Sequence, residues 1–264
     1  MNPVITLITD YGCRDHYVGA VKGVILGLAP EARIVDITHE IEPHQITPAA
    51  FLLRQIWSWF PPGTIHLVVV DPGVGGKRRI IVGRYDGRYL VAPDNGLISF
   101  VHRELVCEAL HTVRDHRPST VEPSATFHGR DIMGPVAADL ALGAQPREFG
   151  PATDEPVLLE IEDRAQAVDH GLHGRVLYVD HFGTMVTNVR QEQLAELGDR
   201  PGRCEVRVND TPIGAIHRTF SDVAMDEPVA LLGSSGFLEI AINQGRAIDR
   251  FGPAERVHVD VHRQ

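Results

Sequence analysis

The sequence predicts an α/β protein in two parts: an N-terminal domain built on a mainly parallel sheet with helices, then a smaller C-terminal all-β, barrel-like domain. Three observations predict this. Up to about residue 150, short β-rich runs alternate with stretches of helical periodicity. One run, residues 65–70, is apolar at every position but His66, as expected of a strand buried on both faces. From about Gly171 onward helical periodicity nearly vanishes, and short alternating runs are separated by turn signals.

The elements follow in order. Val4–Thr9 is a β-rich run ending at Asp10. Tyr17, Val18, Val21, Val24, Ile25 and Leu28 then recur at helical spacing, and Pro30 closes that helix because it cannot extend the hydrogen-bond ladder. Residues 33–37 form a second strand, and a polar loop leads to Thr47-Pro48, read as an N-cap followed by proline at the first helical position. The stripe Ala49, Ala50, Leu52, Leu53, Ile56, Trp57 and Phe60 makes the next helix amphipathic. With residues 65–70 as the third strand, the βαβαβ order implies parallel pairing with helices on both faces. The segment 143–169, rich in Pro, Gly and acids, is the expected linker between domains 1–160 and 171–264. Beyond it, residues 175–179, 185–189, 205–208, 229–232, 237–242 and 256–261 read as strands, punctuated by Asn209-Asp210 and Gly233-Ser234-Ser235-Gly236.

Composition bounds the function. The 264 residues are 43% apolar and 23% charged, ordinary globular values that exclude disorder or coiled coil as a description of the whole. Thirty-five acids against 25 Lys and Arg leave a net charge of −10, which a phosphate backbone repels, so a nucleic-acid partner is not expected. The longest apolar runs fall far short of the ~18 residues needed to span a bilayer. Met1-Asn2-Pro3 lacks a basic region and Asp10 interrupts the first apolar run, so no signal peptide is expected. Cys13, Cys107 and Cys204 are odd in number and widely spaced, which fits a reducing, cytoplasmic setting and no disulfide framework or thiolate zinc site.

In an open parallel sheet, ligands bind beyond the carboxyl ends of the strands. Asp10 and Asp71 occupy that position. A lone aspartate there commonly caps the following turn, but Asp71 has company. It opens Asp71-Pro72-Gly73-Val74-Gly75-Gly76-Lys77-Arg78-Arg79, where glycines allow close backbone approach and basic side chains follow. This is no Walker A loop: Asp71 stands where the first glycine is required, and Arg78 follows Lys77. A plain tight turn between strands is the alternative. Three further polar clusters are Asp36-Ile37-Thr38-His39-Glu40, Thr126-Phe127-His128-Gly129-Arg130-Asp131 and Asp180-His181-Phe182-Gly183. A metal site drawn from Asp10, His39, Asp71, His128 and Asp180 has no paired histidine spacing to support it. His102, His111 and His116 read as surface or loop residues.

In this order, Ile8-Thr9-Asp10-Tyr11-Gly12, Asp36-Ile37-Thr38-His39-Glu40-Ile41, Val70-Asp71-Pro72-Gly73-Val74-Gly75, Pro93-Asp94-Asn95-Gly96, Phe127-His128-Gly129-Arg130-Asp131 and Asp180-His181-Phe182-Gly183 carry a resemblance. The chain resembles, from residue 4 to about 247, the S-adenosyl-L-methionine (SAM) hydroxide adenosyltransferases, SAM hydrolases related to fluorinase and chlorinase. The resemblance implies attack of water or hydroxide on C5′ of SAM to give adenosine and L-methionine, without metal or organic cofactor. It also implies a homotrimer whose active sites lie between the N-terminal domain of one subunit and the C-terminal domain of its neighbour. Matched by motif, Asp71, Arg78 and His128 correspond to the water-activating set and Asp10 to the ribose-binding aspartate, with Phe127 among the substrate-binding residues. Phe182 and Phe220 correspond to adenine-packing aromatics, Asp180 and Ser234 to the methionine end. Halide-using relatives carry serine where this chain has Gly129, an aromatic residue where Asp71 stands, and an inserted segment not found here, which favours water. Thr184 replaces an asparagine that commonly contacts adenine.

The implied chemistry is physically economical. A sulfonium leaves as a neutral thioether, so displacement at C5′ needs no general acid, only a positioned nucleophile in a dry cavity. Arg78 stabilises hydroxide character and His128 titrates near neutrality, which favours His128 as base; Asp71 is the alternative proton acceptor, and the sequence does not separate them. The alternatives from other classes are a SAM- or adenosine-binding sensor without turnover and a metal-dependent phosphoesterase. A structural Asp71–Arg78 ion pair with a hydrogen-bonded His128 is the bland reading of the trio.

Overall fold

β1, Val4–Thr9, is buried from Ile5 onward and lies second in a six-stranded sheet. The sheet order is β2-β1-β3-β5-β4-β6, with β2 at Arg33–Thr38, β3 at Ile65–Val69, β4 at Ile80–Tyr85, β5 at Arg88–Pro93 and β6 at Cys107–Thr112. β1 pairs in parallel with β2 and β3, and β3 with β5, whereas β4 is antiparallel to both neighbours. The sheet is therefore mainly parallel with an antiparallel margin, turned at Asp86-Gly87, where both residues have positive φ (42° and 74°) as a two-residue hairpin requires.

This computed structural model describes residues 2–114, 122–197 and 204–263; His116 lies outside them. The chain divides into two compact units, Met1–Leu159 and Glu160–Gln264. In the first, strand alternation sorts the core. Ile5, Leu7, Leu67 and Val69 face α1 (Tyr17–Leu28) and α4 (Gly134–Ala141), meeting Val21, Ile25, Met133 and Val136. Ile8, Val68 and Val70 face the opposite side, where α2 (Ile46–Trp57) contributes Ala49, Leu53 and Trp57 and α3 (Ser99–Glu104) contributes Val101. Helices thus cover both faces.

Two readings of the sequence shift. Helix α2 starts at Ile46 with Gln45 as its N-cap, so Thr47 is not the cap and Pro48 is the third residue of the first turn. The first turn tolerates this, because its N–H groups have no partner within the helix and proline forfeits nothing there. Residues 150–159 do not run free as a linker. Thr112 N donates to Pro151 O (2.9 Å), Val157 N to the buried carboxylate of Asp94 (2.8 Å), and Leu158 bridges to Gly96.

The second unit is a nine-stranded sheet. Its order is β11-β10-β15-β8-β9-β14-β13-β12, with β7 (Gln166–Val168) pairing β8. The strands are β8 Gly171–Val179, β9 Met185–Arg190, β10 Cys204–Val208, β11 Thr211–Gly214, β12 Ile216–His217, β13 Pro228–Leu232, β14 Phe237–Ile242 and β15 His258–Arg263. Val206, Val208, Val259 and Val261 from one end of that order share one core with Met185, Ala230, Leu238 and Ile240 from the other, so the sheet curls into a barrel-like shell. Short helices α5 (Gln191–Glu196) and α6 (Ala247–Phe251) interrupt an otherwise all-β unit. Among the described residues no helix is long and apolar enough to cross a membrane.

Candidate active site

Strand β3 delivers Asp71 from its carboxyl end into the loop that returns the chain to β4. The loop folds on itself through Val74 N to Asp71 O (3.2 Å) and Gly76 N to Gly73 O (3.0 Å). Gly75 has φ +74°, and its α-carbon lies so close to the Ala125 carbonyl oxygen that a β-carbon has no room. Glycine is required there for both reasons, and the result is that the loop is pressed against the segment leading to His128.

The contact brings the trio together. Arg78 Nε donates to both Asp71 oxygens (3.0 and 2.9 Å) and Nη2 donates to Oδ2, a forked pair whose side chains are only 11% and 5% exposed. At that exposure the charges are poorly screened and the geometry is fixed. Arg78 Nη2 also lies 2.7 Å from His128 Nδ1. Arginine only donates, so Nδ1 accepts and the proton of the neutral ring is on Nε2. Burial, then the neighbouring Arg78 cation, hold the His128 pKa below its ordinary 6.5, against a smaller opposing pull from Asp71 and Asp131. The neutral, Nε2-protonated ring is thus the favoured state near neutrality.

His128 caps a π-helical turn, Gly129–Met133, that runs into α4. Pro135 has no N–H and would crowd the carbonyl four residues back, so the chain widens and Gly134 N reaches Gly129 O instead. Asp131 in this turn accepts from Ser124 N (2.9 Å) and pairs with Arg130, which holds its carboxyl below the usual range. The Phe-His-Gly-Arg-Asp motif therefore aims His128 and pins the incoming loop.

A cavity of about 460 Å³ opens beyond the strand ends, bordered by Asp10, Tyr11, Tyr17, Asp71, Phe127 and Gly129. Asp10 Oδ2 accepts from His44 N (3.0 Å), leaving Oδ1 for a ligand. Phe127 meets Tyr11 and Tyr17 edge-on at 5.9 and 5.3 Å between ring centres, making one aromatic wall. Burial first, then Asp10 and Asp71, raise the Tyr11 phenol, which stays protonated. Arg78 and His128 border a second cavity of about 560 Å³ with Lys77, Arg79 and Arg114. Asp71 is the member of the trio that borders the Asp10 cavity. His39 stands beneath this site: Nδ1 meets Thr9 Oγ1 at 2.9 Å, Nε2 lies 3.1 Å from Asp36, and its carbonyl accepts from Gly12 N (2.7 Å). It positions the Asp10 loop, while His128 is engaged by Arg78.

In the second unit, Asp180, Phe182, Thr184 and Phe220 border a cavity of about 690 Å³. Asp180 Oδ1 accepts from Thr184 N (2.8 Å). Phe182 and Phe220 are 72% and 45% exposed, far more than large aromatics normally are without a partner. Ser234 lies on the exposed turn between β13 and β14 and is not among the residues bordering that cavity. Gln244 and Arg246, unremarked in the sequence, border it, and Arg246 Nη1 donates to His181 O (2.9 Å). Tyr17 was legible only as part of a helical stripe; its hint was an aromatic at the exposed start of a helix.

Charged groups held rigidly beside a cavity at the strand ends of an α/β sheet are the arrangement of an enzyme that transforms a small polar molecule. The chain belongs to the SAM hydroxide adenosyltransferase family: the N-terminal domain of that family matches residues 5–150 and the C-terminal domain residues 174–259. It is 40% identical to an (R)-S-adenosyl-L-methionine hydrolase of Salinispora tropica, over 97% of each chain. It is 36% identical to one of Thermus thermophilus, over 98% of this chain and 99% of the relative. A crystal structure of an uncharacterized conserved protein from Thermotoga maritima superposes with a TM-score of 0.91 at 35% identity, covering 98% of this chain and all (100%) of that one.

Proposed function

We propose that this enzyme hydrolyses (R)-S-adenosyl-L-methionine, the sulfonium epimer in the relatives' names, to adenosine and L-methionine. The observation that carries the reading is the Asp71–Arg78–His128 network beside the Asp10 cavity. A water oxygen bonds to C5′ as the C5′–S bond breaks, the bonding pair leaves with sulfur as a neutral thioether, and one proton is released. Asp71 takes that proton, because it borders the cavity and His128 has its free lone pair committed to Arg78. Arg78 stabilises hydroxide character, and His128 holds the guanidinium in place. Asp10 binds the ribose hydroxyls. The leaving group needs no protonation, so no Lewis acid or organic cofactor is required. The experiment is chromatography of each SAM epimer incubated with chelator-treated protein. Adenosine and methionine in equal amounts, faster from the (R) epimer, are expected; no product, or product only after a divalent metal is restored, would defeat the reading.

We further place the protein in the cytoplasm as a homotrimer, with Asp180, Phe182, Phe220 and Ser234 of one subunit completing the site of its neighbour. Two exposed aromatics around an open cavity support a site completed by a second subunit. Sedimentation should give the trimer mass. In mixed trimers Asp71→Ala and Asp180→Ala subunits should restore activity to each other, and no rescue in verified mixtures counts against shared sites.

The pH dependence separates the role of His128 from that of a base. Protonation of His128 puts a proton on Nδ1 and breaks the bond from Arg78. With the pKa lowered by burial and Arg78, the ring is neutral above that value and turnover rises as pH passes up through it, on a limb centred below 6.5. No descending limb is expected below the pH of inactivation. His128→Asn, whose amide oxygen can accept from Arg78, should lose the limb yet keep much more turnover than His128→Ala. Equal loss in both variants would return the base assignment to His128.

A further inference from the structure

The second unit carries a cluster of histidines and aspartates that the SAM chemistry does not use. His258 and Asp260 alternate along β15 with buried Val259 and Val261, so both point to the outer face of the sheet. Antiparallel pairing with β8 sets His173 opposite Asp260, with His173 Nδ1 2.6 Å from Asp260 Oδ1. The Asn209-Asp210 turn is fastened to the same strand: Asn209 N donates to His258 O (3.1 Å) and His258 N donates to Asn209 Oδ1 (3.1 Å). Both turn residues have positive φ (48° and 63°), which aims Asp210 across at His258. His258 Nε2 lies 3.9 Å from Asp210 Oδ2 and 3.9 Å from Asp260 Oδ2, and the three donor atoms lie within 4.8 Å of one another.

We propose that Asp210, His258 and Asp260 form a binding site for a divalent transition-metal ion of the zinc class. One imidazole nitrogen and two carboxylates are a borderline donor set that favours such an ion, and two carboxylates balance its charge. Metal–ligand bonds of ~2.0–2.1 Å place tetrahedral donors ~3.4 Å apart, so the two His258–carboxylate distances of 3.9 Å need to close by about half an ångström and the two carboxylates to draw together with them. The Asp210 side chain, 88% exposed, is free to make that movement. His173 acts through Asp260: its Nδ1–H fixes the carboxylate so that the other oxygen faces the ion, the usual part of an outer hydrogen-bond partner. A water completes the fourth position on the open side. The ion ties the β10–β11 turn to β15, and none of the four residues borders the Asp180 cavity.

The test is calorimetric titration of zinc into the chelator-stripped full chain, followed by thermal unfolding with and without the metal. One saturable equivalent per chain is expected, with a rise in melting temperature because the ion binds only the folded state. Asp210→Asn and His258→Gln should each abolish that equivalent, and His173→Gln should weaken it by about ten- to a hundredfold. These side chains lie on the outer face, and circular dichroism verifies that the variants fold. No saturable equivalent in the wild-type chain, or the same equivalent in both ligand variants, overturns the site. The titration contains no SAM, so its outcome is independent of the hydrolase reading.

Discussion

Arg78→Ala lowers the turnover number for SAM hydrolysis by about 10²–10³-fold, the cost of removing a preorganised charge-stabilising donor, and changes SAM affinity far less. Arg78 is the one group bonded to both other members of the trio, so its loss unfastens His128 and strands the Asp71 carboxylate, 5% exposed, without a counter-charge. Single-turnover kinetics beside calorimetric SAM binding check this. A raised dissociation constant with unchanged turnover would make the network a substrate anchor and end the proposed mechanism. Arg78→Lys keeps the charge but not the fork that engages two partners at once, and should fall between the two. It also guards against an Ala variant that fails to fold.

Gly75→Ala is expected to damage stability and turnover together. The added carbon adopts a disfavoured left-handed conformation and meets the Ala125 carbonyl, a backbone atom that cannot swing aside. Overpacking of this kind costs about 1–3 kcal/mol, visible as a lowered melting temperature. The larger effect is on the rate. Displacing the 71–78 loop from the 122–128 segment by about 1 Å moves Arg78 off His128, and misplacement on that scale costs roughly a hundredfold. Gly63→Ala is the control, since φ there is also positive (+85°) but its new carbon would meet nothing within 4 Å. Equal behaviour of the two variants would refute the loop-registration argument.

The parts of the fold set by local pattern were legible in the chain. Residues 65–69 read as a doubly buried strand because four of the five are apolar, and Asp10 and Asp71 are conspicuous because they stand just past the ends of strands. The β4–β5 hairpin is signalled locally by Asp86-Gly87, but its place inside the sheet depends on pairing with β3 and β6 that no local pattern encodes. Helix α2 starts one residue before Thr47 although Thr-Pro satisfies a capping rule, and Gln45 takes the N-cap position without a side-chain capping hydrogen bond. Beyond local pattern, the sequence named the trio but not its hydrogen-bond direction. Which histidine nitrogen faces Arg78 depends on contacts between residues 50 positions apart, and that direction moves the proposed base from His128 to Asp71.

The crowding of Gly129 by the Tyr11 hydroxyl constrains how this chain can change over evolutionary time. Serine at that position, as the resemblance ascribes to halide-using relatives, cannot be accommodated while tyrosine at residue 11 keeps its place. The substitutions are therefore order-dependent: residue 11 must turn or shrink before residue 129 can gain a side chain. Val69, whose methyl would lie 3.2 Å from the new carbon, narrows the route further. Any side chain gained at residue 129 is thus coupled to the placement of residue 11, more than a hundred residues away in the chain.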